Sequence, residues 1–157
     1  MFHSSGRRQS KPGRQPRYNE AVNGTAGYEE IEHTADWALR VWAPDLPGLL
    51  REAAAGMYAL MGARGGEAIE APVRIAVSGM DAESLLVAYL SELLRVGENQ
   101  GLMAAHASPR VDGFKIDSEI QVDRMLGLDK EIKAVTFHNL SVRAIPGGLE
   151  TTIVFDV

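Results

Sequence analysis

Two stretches of this chain repeat their apolar residues at helical spacing, and each leaves a single face to bury. In the first, Leu49, Leu50, Ala53, Ala54, Met57, Leu60 and Met61 share one side. Asp45 is placed to cap that helix, Pro47 falls in its first turn, and Gly62 marks its end. In the second, Leu85, Leu86, Tyr89, Leu90, Leu93 and Leu94 form the stripe, while Glu83, Ser91, Glu92 and Arg95 point to water. Asp81 caps it, and the turn-forming run Gly97 to Gly101 predicts its end near Gly97. A helix with one apolar stripe must lie on another layer, and almost everything else in the chain has period two. The pattern therefore predicts an α+β fold, a two-layer sandwich with two amphipathic helices packed on a mixed, largely antiparallel β-sheet.

The strands follow from alternation. Ile31 to Ala43 sets Trp37, Leu39 and Val41 against Ala38, Arg40 and Trp42, with Asp36 near the parity of Ala38 and Arg40. Residues Gly65 to Glu70 read as a loop and Val73 to Val77 as a strand. Beyond the second helix, Leu102 to Val111, Gly113 to Met125, Glu131 to Ile145 and Leu149 to Val157 read as four strands joined by turns such as Asp112-Gly113 and Pro146-Gly147-Gly148. The last of these, LETTIVFDV, is still alternating when the sequence closes, with Asp156 one residue before Val157.

Charge is unevenly divided. Residues 1–27 carry Arg7, Arg8, Lys11, Arg14 and Arg17 against Glu20, so the remainder is more acidic than the total of -5. An acidic body repels phosphates, and stable nucleic-acid binding by the folded domain is not expected. The basic segment is rich in Gly, Pro, Ser and Arg and has little apolar surface to offset its ordering entropy, so 1–27 is expected to be a disordered arm and 28–157 the folded domain. Arg7-Arg8 resembles the start of an export signal, but the apolar stretch of about 7–15 residues that such signals need is missing. No run approaches a membrane span, and no membrane partner is expected. The absence of cysteine removes disulfides and thiolate ligation and fits a reducing, cytoplasmic setting.

No GxxxxGK[ST], GxGxxG after a strand, HExxH or GxSxG motif is present, so nothing points to a nucleotide of the chain's own. His33, in HTAD, and His138, in TFHNL, are open to two readings: metal or proton-relay chemistry, or hydrogen bonds that hold local backbone. Asp36 and Asp156 both sit at strand ends, where aspartate is disfavoured. With the carboxylate of Val157 they offer up to three anionic oxygen groups of the kind that Ca²⁺, Mg²⁺ or Mn²⁺ prefers. The alternative is that each aspartate closes a turn and faces water.

Read together, HTADWALRVWA, DAESLLVAYLSELL, EIKAVTFHNLSV and the closing TIVFDV resemble the archease family, over about residues 28–157. The segment Arg124 to Asp129 departs from the family, where it often carries His and Pro; so does the second helix, which has Ser91 and a Leu-Leu-Arg95 end. The resemblance implies an accessory protein of tRNA splicing and RNA repair rather than a catalyst. Its implied partner is a GTP-dependent RtcB-type RNA-splicing ligase, whose guanylylation and multiple turnover it promotes. It also implies a bound divalent cation, Ca²⁺ first and Mg²⁺ or Mn²⁺ next, held by Asp36, Asp156 and Val157, with His33 behind them orienting the strand end. Two rival readings remain: a chaperone or binding module for RNA-modifying enzymes such as tRNA methyltransferases, which needs the same fold but not the metal, and a metal-dependent hydrolase using the two aspartates directly.

Overall fold

The computed structural model describes residues 26–32, 36–105 and 108–157. The basic segment through residue 25, His33 and His106 lie outside the described residues. Eleven elements follow in the order β1 (Gly27–Ile31), β2 (Trp37–Ala43), α1 (Leu46–Met61), β3 (Arg64–Ser78), α2 (Ala82–Gln100), β4 (Leu102–Ala104), β5 (Val111–Asp112), β6 (Lys115–Gly127), β7 (Ala134–Val135), β8 (Arg143–Ile145) and β9 (Gly148–Asp156). The fold is α+β, with both helices packed on antiparallel strands. Those strands are divided between two sheets where the sequence pattern suggested one. The first runs β1-β2-β9-β7 with β8 also paired to β9, and the second runs β3-β6-β4 with β5 also paired to β6. α1 packs on β1 and β2, α2 packs on β3 and β4, and the helices touch each other.

Helix α1 begins as the sequence predicts. The Asp45 carboxylate accepts a hydrogen bond from Gly48 N at 2.8 Å, which satisfies one of the free amides of the first turn. Gly62 closes it in the left-handed conformation at φ 61°. Helix α2 opens with a reciprocal cap, Ser84 N donating to Asp81 at 2.8 Å and Asp81 N donating to the Ser84 hydroxyl at 3.2 Å. The Ser84 amide first, and the Ser84 side chain after it, hold the Asp81 carboxyl below its ordinary value of 3.8. A lowered folded-state pKa adds stability above the unfolded value, and that increment disappears as pH falls through the lower folded one. Asp81→Asn is therefore expected to remove part of the stability difference between pH 5 and pH 2.5, read from urea unfolding at both pH values; an unchanged difference would contradict the cap.

Several boundaries differ from the sequence pattern, each for a local reason. The strand expected over Ile31 to Ala43 is β2 from Trp37 only; Ile31 instead ends β1, which pairs back on β2 antiparallel from Ile31↔Ala38 to Gly27↔Trp42. Residues 65–70 belong to β3. They are mostly exposed on both faces, so they carry no alternation, and pairing with β6 through Gly65↔Met125, Ala68↔Asp123 and Ile69↔Val122 holds them extended. Helix α2 continues three residues past Gly97 to Gln100 and is closed by Gly101 at φ 66°. Gly97 stays helical against Met125 Cε, which would lie 3.0 Å from an added Cβ. The expected strand over Leu102 to Val111 shortens to β4 and β5, and Glu131 to Ile145 keeps only β7 and β8. In the Pro146-Gly147-Gly148 turn, a Cβ on Gly148 would overlap the Ala43 carbonyl oxygen, so only glycine lets β9 leave the turn beside β2.

The core lies between the helices and the sheets. Leu39, Val41, Ile153 and Phe155 from the first sheet meet Leu49, Leu50, Ala53 and Met57 of α1; Leu85, Leu86, Tyr89, Leu90 and Leu93 of α2 meet Ile75, Ile116 and Ile120. Some buried polar groups are satisfied by bonds between elements, whereas Trp42 Nε1 and Ser118 Oγ have no partner among the described residues. The Thr151 hydroxyl donates to Ser141 O at 3.0 Å, and Tyr58, whose hydroxyl burial pushes up to about 12, accepts from Ala104 N at 3.0 Å and so ties α1 to β4.

Candidate functional site

β9 is the strand on which the site is built, because it has neighbours on both sides. β2 pairs along it from Ala43↔Leu149 to Trp37↔Phe155, and β7 pairs on the opposite edge through Val135↔Phe155 and Ala134↔Asp156. Continuing the β2 register one residue brings Asp36 across from Asp156, on the side of the sheet that carries Ala38 and Val154 rather than Leu39 and Phe155. The aspartates share an end of two adjacent strands although they are far apart in sequence. Asp36 and Val157 are half-buried and Asp156 is exposed.

The backbone around Asp156 is fixed. Lys133 N donates to Asp156 O at 2.8 Å, and Thr136 gives Val154 O both its amide, at 3.1 Å, and its hydroxyl, at 2.9 Å. Residues 128–133 are pinned at their other end by Asp129 N and Lys130 N, which donate to Met61 O at 2.9 and 3.1 Å. Lys130 then sets its ammonium 3.8 Å from the centre of the Trp37 ring, a cation–π contact at the residue following Asp36. Downstream, the Glu83 carboxylate accepts from Val142 N at 2.8 Å and attaches the segment after β7 to the start of α2.

The side-chain carboxylates of the two aspartates make no ion pair with, and accept no hydrogen bond from, any described residue. Arg40, two strand steps from Ala38 on the Asp36 side, is committed elsewhere: its guanidinium reaches Glu150 at 2.6 Å and Glu29 at 3.6 Å. Two carboxylates left without a cation are the hard oxygen donors that a divalent metal takes. Among the described residues no cluster of three or more His, Cys, Asp or Glu side chains is placed to hold a metal. His138 is exposed and its ring contacts Asn139 Nδ2 at 3.3 Å, while Asn139 itself adopts φ 51° in the turn closed by Leu140 N to Phe137 O at 3.1 Å. Among the described residues the His138 ring meets the neighbouring Asn139 side chain and no backbone group.

Sequence patterning singled out Asp36 and Asp156 but not the groups that frame them. Lys130 over Trp37, Lys133 on Asp156 and Glu83 on Val142 are contacts between segments with no common period, so no local signal marks them. Among the described residues no helix is long and apolar enough to cross a membrane.

The sequence profile of the Archease protein family matches residues 28–157. The chain is 32% identical over 139 residues to Protein archease of Methanopyrus kandleri, covering 83% of this chain and 99% of that protein. It is 30% identical over 135 residues to Protein archease of Archaeoglobus fulgidus, covering 83% and 98%. The solution structure of Methanobacterium thermoautotrophicum protein 1598 has the same fold, with a TM-score of 0.65 at 22% identity over 83% of this chain and 99% of that one.

Proposed function

The chain belongs to the archease family, and from that premise we propose that it is an accessory protein of a GTP-dependent RtcB-type RNA-splicing ligase, promoting the ligase's guanylylation and multiple turnover and not itself catalysing ligation. The observation that supports this reading is the meeting of Asp36 and Asp156 at the end of β2 and β9, unpaired by any described cation and framed by a fixed backbone. Asp36, Asp156 and the carboxylate of Val157 would hold a divalent cation, Ca²⁺ first and Mg²⁺ or Mn²⁺ next, with His33 orienting the strand end before Trp37. The ion supplies a concentrated positive charge able to engage phosphate oxygens. These residues would place the ion at the end of β2 and β9, where the exposed Asp156 is within reach of a second protein. A fold with an acidic body leaves RNA binding to the partner.

The test is ligation of RNA ends by the cognate ligase with GTP and substoichiometric ligase. Addition of the protein is expected to raise the number of turnovers per ligase, and ligation that stays at one turnover with or without it would overturn the proposal. The protein alone is expected to leave phosphoesters intact, which separates this reading from a hydrolase. A short extension after Val157 moves the terminal charge away from the site, and calorimetric titration is expected to show weaker Ca²⁺ binding; unchanged affinity would remove Val157 from the ligand set.

A further inference from the structure

The loop that frames Asp156 has a second face. Leu128, Glu131, Ile132 and Lys133 of this loop line a cavity of 460 Å³ whose apolar part is completed by Met61, Leu93, Leu94 and Met125. Its rim carries Glu98, Glu131 and Lys133. The walls are already in place: Met61 O holds Asp129 N and Lys130 N, Arg64 pairs with Asp129 at 2.6 Å, and Lys133 N is bound to Asp156 O. Leu128, one of the lining residues, is 37% exposed.

We propose that this cleft is a docking site for an apolar side chain projecting from a basic surface of the partner ligase, seated as the same partner addresses the carboxylate edge. This deepens, and rests on, the reading of the chain as a ligase-associated protein. One loop supplies both surfaces, so a protein that covers Asp156 passes Lys133 and meets the mouth of the cleft. The apolar floor with a polar rim is the form of an anchor pocket. Charge selects the kind of partner. Glu98 and Glu131 line the cleft against one basic lining residue, Lys133, and Asp36 and Asp156 follow at the end of β2 and β9. A protein that grips RNA has the basic surface complementary to this edge.

The experiment measures affinity for the purified ligase, and activation of ligation, with the full chain. Leu128→Gln is expected to weaken binding at least about tenfold, the loss of an anchor contact. Leu126→Gln, at a residue 68% exposed and outside the cleft lining, is the control and is expected to bind like the parent. Glu98→Gln is expected to weaken binding and reduce its salt dependence. Calorimetric Ca²⁺ affinity is expected to be unchanged in all three, which shows that they fold and that the carboxylate edge is intact. If the parent activates the ligase and Leu128→Gln binds equally well, or if Leu126→Gln loses as much as Leu128→Gln, the cleft is not the docking site and the functional reading stands. If the parent neither binds nor activates the ligase, both are overturned.

Discussion

Replacement of Asp36 or Asp156 by alanine is expected to lower divalent-cation affinity at least about 10–100-fold and to abolish the gain in ligase turnover. The lower bound follows from what loss of a group merely orienting a ligand costs; a direct oxygen donor is worth no less. The β2–β9 ladder ends at Trp37↔Phe155, which leaves Asp36 and Asp156 next at the same end of the two strands, and no described cation pairs with either. Removing one leaves a single side-chain carboxylate, too few oxygens to replace the water a hard cation gives up. The folded state should tolerate the change, because Asp156 is exposed and Asp36 half-buried. The measurements are Ca²⁺ titration by calorimetry and multiple-turnover ligation. Variants that bind the ion and activate the ligase like the parent would take the acidic pair out of the working part. Asn at either position keeps the shape and removes the charge, and is expected to fall between parent and alanine in affinity.

Phe155→Ala should cost about 3–5 kcal/mol of folding stability, the range for deleting a buried aromatic ring. The residue is 0% exposed and its backbone is paired on both edges, to Trp37 and to Val135. Both strands are held, so the site cannot collapse readily around the lost ring, and the upper part of the range is expected. Such a loss is comparable to the whole stability of an ordinary domain, about 5–15 kcal/mol. Urea unfolding checks it, and a decrease under about 1 kcal/mol would show that the ring is not a core element. Phe155 and Asp156 are neighbours pointing to opposite faces. The first substitution is expected to reduce stability at unchanged intrinsic metal affinity, and the second to reverse that outcome.

That contrast shows how far the sequence reaches. Helices were legible because their information is local: a cap at Asp45 or Asp81, a stripe with period 3.6, a glycine at the close. Gly97 misled because nothing adjacent in sequence records that Met125 packs against it. Strands were legible where one face is buried and the other wet, as in β2 and β9, and illegible in residues 65–70, where exposure on both faces erases the alternation and only pairing with β6 holds the chain extended. The split into two sheets lies beyond periodicity altogether, since a strand's pattern says which face is buried and not which neighbour it pairs with.

The candidate site divides along the same line. Asp36 and Asp156 stood out singly, as aspartates at strand ends, and their joint role came from resemblance to a family. Their meeting belongs to the fold: β2 and β9 are over a hundred residues apart, and only the register Trp37↔Phe155 sets the carboxylates at one end. The loop that carries Lys130 over Trp37 and opens the cleft behind Lys133 is decided by backbone bonds to Met61 and Asp156. By itself the sequence determined the fold class, both helices and the residues that could hold charge, because propensity, capping and burial act over a few residues. Tertiary structure alone decided which of those residues face each other, because strand pairing and loop anchoring join segments with no periodicity in common.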